Sequence, residues 1–64
     1  MKESINVYGM KTWDDVNKIK EGITLLEGII ACQIDKKQSI VSVVYDDRIL
    51  TLDKIKVQIE DMGY

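Results

Sequence analysis

The hydrophobic period of this chain changes three times, and the order of those changes leaves few folds open. Ile5 and Val7 alternate with Ser4, Asn6 and Tyr8, a period of two that marks a half-buried strand, and Gly9 ends it. From Trp13 the apolar residues recur at Val16, Ile19, Ile23 and Leu26, the spacing of one face of a helix. The period returns to two at Ile30, Cys32 and Ile34. It continues, after the polar turn Asp35-Lys36-Lys37-Gln38, at Val41, Val43 and Tyr45. So short a connection pairs these two strands antiparallel. A last helical stripe runs through Leu52, Ile55, Ile59 and Met62.

Each helix carries its own start signal. Thr12 and Thr51 suit N-caps, and each is followed by an apolar residue and an acid, Trp13-Asp14 and Leu52-Asp53. The carboxylates of Asp14 and Asp15 in the first turn complement the helix dipole. Gly28 is expected to end the first helix in the left-handed region and Gly63 to stop the second. Gly22, inside the first helix, weakens it by about 1 kcal/mol. The order strand, helix, strand, strand, helix describes one α+β domain over residues 1–64. A split β-α-β sandwich, with both helices on one face of an antiparallel sheet, satisfies it with right-handed crossovers. A doubly wound sheet needs more strands than the chain holds.

Composition removes whole classes of chemistry. The 64 residues contain no His, so an imidazole base, a Ser-His pair and a His metal site are absent. A single Cys excludes an intrachain disulfide and a two-thiolate site within one chain. No carboxylate pair falls in an evident pocket, which leaves nothing to suggest acid-base catalysis or an enzyme. A net charge of -2 argues against nucleic acid and anionic membrane as partners. No run approaches the roughly 20 apolar residues that cross a bilayer. The first residues, Met1-Lys2-Glu3-Ser4, lack the apolar run of a signal peptide, and with one free thiol a cytoplasmic location is expected.

Five segments in order then carry a family resemblance: Tyr8-Gly9-Met10; the first helix; Leu26-Glu27-Gly28-Ile29; Val41-Ser42-Val43-Val44-Tyr45-Asp46; and Ile59-Glu60-Asp61-Met62-Gly63-Tyr64. From about Ile5 to the end the chain resembles the heavy-metal-associated domain of small copper chaperones and metal-transporting P-type ATPases. The resemblance implies a ferredoxin-like fold and a role in metal-ion homeostasis. It also implies a Gly-Met-Thr-Cys-x-x-Cys loop whose thiolates hold Cu(I) or another soft ion. Here that stretch is Gly9-Met10-Lys11-Thr12-Trp13-Asp14-Asp15, with Thr12 and Asp15 at the two cysteine positions. A hydroxyl and a carboxylate are hard donors, whereas Cu(I) selects sulfur. Cys-x-x-Cys and the capping box share a three-residue spacing, so Thr12 and Asp15 are expected to form a helix cap in place of a ligand pair, and no metal cofactor is expected.

The family docks through this loop and the starts of its helices, so Met10, Lys11, Thr12, Trp13, Asp14 and Asp15 form the candidate interaction surface. Met10 is expected to pack inward under the loop, and Tyr64 to pack beside it. Trp13 is read equally well as core or as an exposed anchor. Cys32 is expected on the inward face with Ile30 and Ile34, behaving as a small hydrophobe. The family continues past Gly-Tyr into a fourth strand, which is expected to be short or missing here; if Tyr64 is the real terminus, the first strand is expected to be a sheet edge. Ile5 and Val7 are then candidates for pairing with another chain. Ala31, Ile40 and Val44 are expected on the uncovered sheet face. The favoured reading is an interaction or regulatory module in metal handling, working with a protein partner, for instance a metal-transporting ATPase, or as a homodimer. A genuine metal carrier with a non-standard or intersubunit site is the alternative, and a small-molecule regulatory domain a second.

Overall fold

A computed structural model describes residues Met1–Tyr64. The chain runs β1 (Lys2–Asn6), α1 (Trp13–Thr24), β2 (Ile29–Asp35), β3 (Ile40–Tyr45) and α2 (Leu52–Asp61). The strands form one antiparallel sheet in the order β1-β3-β2. Both helices pack on one face, which is the ferredoxin-like arrangement without a fourth strand. Val41, Val43 and Tyr45 on the central strand point into the core, alternating with the half-exposed Ile40, Ser42 and Val44. Val16, Ile19 and Ile23 of α1, with Ile55 and Ile59 of α2, close over them. Ile5, Val7, Met10 and Leu50 complete the core. Leu50 belongs to no periodic run, so only the three-dimensional structure reveals it.

Three readings of the sequence need correction. The first concerns the end of α1. The helix stops at Thr24 with Leu25 as a right-handed cap, and Gly28 (φ 102°) turns the chain into β2 three residues later. The stripe residue Leu26 lies beyond the helix yet still packs against the core, so the apolar stripe extends further than the helix does. The Gly63 signal, by contrast, works as expected. With φ 94° it lets its own N–H reach Glu60 O and the Tyr64 N–H reach Ile59 O, a Schellman motif.

The second concerns β2. A register shift between Ile29 and Ala31 turns the strand, so that Ile29 faces the core and Ile30 is 69% exposed. Alternation alone carries no mark of a bulge. Cys32 and Ile34 keep their inward side, although Cys32 is only half-buried on an outer strand. Burial pushes its thiol above the usual range. We expect Cys32 to react slowly with a thiol reagent in the native state and at the free-thiol rate after denaturation. Equal rates in the two states would show that the site is open.

The third concerns the edge of β1. Val7 N–H donates to Ser39 O, and Tyr45 N–H to Met1 O, so the odd-numbered residues of this strand face β3. With Ile5 opposite Val41 in the same register, the alternation of an antiparallel pair puts the outward backbone groups on Lys2, Ser4 and Asn6. Ile5 and Val7 supply core side chains, not free edge groups. The face away from the helices is open at Ala31, Ile40 and Val44, as expected.

Gly22 acquires a reason. It is buried where α1 meets α2, and a Cβ there would fall 2.8 Å from Met62 Cε. Gln58 Nε2 crosses the same gap to donate to Gly22 O at 3.1 Å. The helical propensity lost at this position is exchanged for a close approach of the two helices.

Candidate functional site

The loop from Gly9 to Thr12 joins β1 to α1 at one end of the molecule, and its geometry follows from the cap. Thr12 is extended (φ -128°, ψ 165°), and its Oγ1 accepts the Asp15 N–H at 3.2 Å. Asp15 answers with Oδ2, which accepts Thr12 N–H at 3.1 Å and Lys11 N–H at 2.9 Å. The expected box forms, with one more amide than the motif requires. The second carboxylate oxygen, Oδ1, accepts the Tyr64 hydroxyl at 2.5 Å from the end of α2. A charge-assisted O–H···O⁻ bond has this length.

Three donors converge on one carboxylate and hold it ionised. The Tyr64 hydroxyl is the largest cause, followed by the Lys11 and Thr12 amides, and together they take Asp15 from 3.8 down to about 2. Tyr64 is pushed up in turn, chiefly because its hydroxyl is given to Asp15. A carboxyl depressed on folding adds stability above its unfolded value and loses it as pH falls through the folded one. A phenol raised on folding adds stability below its unfolded value and loses it as pH rises beyond. We therefore expect the Asp15 contribution to be complete above pH 3.8 and to disappear toward pH 2. The Tyr64 contribution fades above pH 10. Urea midpoints measured across pH should lose their acid step in Asp15→Asn. An unchanged step in that variant would assign it to other carboxylates.

The same bonds decide what the loop can hold. Both Asp15 oxygens already accept hydrogen bonds, Thr12 Oγ1 accepts another, and Met10 is buried beneath with a lone thioether. No group of three or more His, Cys, Asp or Glu side chains is placed to hold a metal ion. The only thiol, Cys32, lies on β2, outside this loop. The loop offers no thiolate, and Thr12 Oγ1 and the Asp15 carboxylate already accept four hydrogen bonds between them.

Around the cap the surface is exposed and mixed. Trp13 is 68% exposed, which decides its role against the core. Lys36 from the β2–β3 turn places its Nζ 5.5 Å from the Trp13 ring centroid. Lys11 and Asp14 are exposed beside it, and Tyr8 is exposed before Gly9. All six loop residues singled out in the sequence come together here, Met10 beneath the surface and the other five on it. Sequence reasoning missed the hydroxyl of Tyr64, which lies 49 positions from its partner. It also missed Lys36. Neither belongs to a local motif.

No family model matches the chain. Comparison with individual proteins is more informative. The copper chaperone CopZ of Staphylococcus haemolyticus is 32% identical over 60 residues, a span covering 94% of this chain and 88% of the relative. The chain belongs to the heavy-metal-associated family. A solved CopZ metallochaperone superposes with a TM-score of 0.96 at 27% identity, covering 98% of this domain and 94% of that chain. Copper-transporting ATPase 2 of Rattus norvegicus is 33% identical over 60 residues, but this heavy-metal-associated chain spans only 4% of its length. The fold is therefore that of the family, and the Thr12–Asp15 capping box is what this chain forms at the loop. No helix is long and apolar enough to cross a membrane.

Proposed function

We propose that this heavy-metal-associated domain serves copper handling by protein contact and not by carrying the ion, as a non-enzymatic interaction or regulatory module of the cytoplasm. The observation that carries the reading is the occupied cap. Where a metal loop must present free donors, Thr12 and Asp15 are bonded to backbone amides and to Tyr64. The exposed Trp13, braced by Lys36 and flanked by Lys11 and Asp14, is the anchor of the contact surface. Trp13 also lines a broad open hollow with Lys36, Lys37 and Gln38, so a partner has a ring and a recess to engage. The protein that receives this surface is a metal-handling partner such as a copper-transporting ATPase, named among the relatives.

Native mass spectrometry from buffers supplemented with Cu(I) or Zn(II) tests the reading. We expect the mass of the bare chain in both. Uptake at sub-micromolar metal would overturn it in favour of the carrier, and a metal-bound dimer would place the site between two chains.

The outer side of β1 is a second contact surface in this proposal. Of its outward groups, those at Ser4 and Asn6 border a cleft of about 420 Å³ lined also by Tyr8, Lys56 and Ile59, and a strand of a second copy fits there. The same spectra report stoichiometry, so a bare dimer supports this pairing and a monomer at high concentration removes it.

A further inference from the structure

Tyr64 stands outside the loop yet holds it, and the holding is specific. Its backbone is fixed by the Schellman turn that ends α2, where Tyr64 N–H donates to Ile59 O at 3.3 Å. Its ring lies against Gly9, with Cδ1 3.5 Å from where a Cβ at that glycine would be. Its hydroxyl meets Asp15 Oδ1. The side chain thus spans from the end of α2, across the first residue of the loop, to the third residue of α1.

Asp15 is the other half of the connection. Its Oδ2 gathers the amides of Lys11 and Thr12, the two residues just before the helix. These amides are exposed, and no backbone carbonyl accepts them, so the carboxylate is what orders this part of the loop. A carboxylate on a rotatable side chain can turn away. Fixing Oδ1 fixes the direction of Oδ2 as well, because the two oxygens share one plane.

We propose that Tyr64 is a positioning residue for the contact surface: through Asp15 it latches the Gly9–Thr12 loop to the end of α2, so that Lys11, Trp13 and Asp14 are presented in one arrangement without any bound ion. This rests on the contact role proposed above for its use, although the latch itself does not depend on that role. Any rearrangement that lifts the end of α2 would then loosen the loop too. Two surfaces that are remote in sequence become one unit.

Tyr64→Phe keeps the ring and removes only the hydroxyl. Hydrogen exchange read amide by amide in this variant is the test. With the bond gone, the Lys11 and Thr12 amides should exchange about tenfold faster, the size expected for losing one hydrogen bond to a charged group. The Val41 and Val43 amides in the central strand should keep their rates and so confirm that the fold is intact. Unchanged rates at Lys11 and Thr12 overturn the latch. Uniform acceleration across the sheet overturns it as well, since the hydroxyl would then support the whole fold and not the loop. In a separate arm, Cu(I) added to the wild-type chain should leave all these rates alone. Protection gained only there would count against the ion-independent contact role and leave the Tyr64→Phe result standing.

Discussion

Replacing Thr12 and Asp15 together by cysteine should turn this chain into one that holds Cu(I). The backbone needs little change, because the two positions already sit three residues apart at a helix start, with Thr12 Oγ1 3.2 Å from the Asp15 amide. Thiolates at the N-terminus of a helix are favoured by its dipole and by nearby amides. The Lys11 amide is one of these, since it already faces the carboxylate that would be replaced. Two soft donors in place of two hard ones should raise the retention of Cu(I) against a competing chelator on the order of a thousandfold or more, about 4 kcal/mol. Each single variant supplies one thiolate beside one oxygen donor and should gain far less. The gain in the double variant should come with a weaker metal-free fold, because the capping box is gone, at a cost of about 1 kcal/mol. Wild-type retention equal to that of the double variant would mean that the oxygen donors are not what disables the loop.

That experiment isolates the part of the site that was legible in the sequence. The capping box could be read because it is local: Thr12 and Asp15 are three positions apart, and helix geometry alone brings them together. The stripes of α1 and α2 and the alternation of β3 were readable for the same reason, since each follows from a single period. What escaped has other causes. The bulge at Ile29/Ala31 changes the phase of β2 without changing its residue types, so Ile30 reads as core and is solvent-exposed. The side of β1 that bonds to β3 depends on register, which the strand's own sequence does not state. Trp13 was undecided because the first turn of a helix can reach either way. It is the first residue of α1 and is 68% exposed, and Lys36 joins it only through tertiary structure. The Tyr64–Asp15 bond is the extreme case, a contact between opposite ends of the chain that no window of residues contains.

The same distinction sets the second large effect, which concerns α2. Ile55 and Val57 are two positions apart on one helix and are both β-branched, yet Ile55 is fully buried and Val57 is 52% exposed. Two residues along a helix are about 200° of turn, so they lie on nearly opposite sides. Ile55→Ala removes three carbons from the layer between the helix and the sheet. With Ile19, Ile23, Val41 and Val43 also fully buried, little nearby can move to fill the space. The loss should be about 2–5 kcal/mol. A 64-residue domain has roughly 3–10 kcal/mol in total, so the variant should melt some 10–30 °C lower, or not fold at all at 37 °C. Val57→Ala should stay within about 0.5 kcal/mol of the parent, because its side chain leaves no cavity and alanine favours the helix. Thermal melts of the three proteins followed by circular dichroism at one pH decide the matter. Similar midpoints for the two variants would mean that α2 is packed through a different face. That result would also move Tyr64 from its place beside the loop, since the turn that holds it continues this helix.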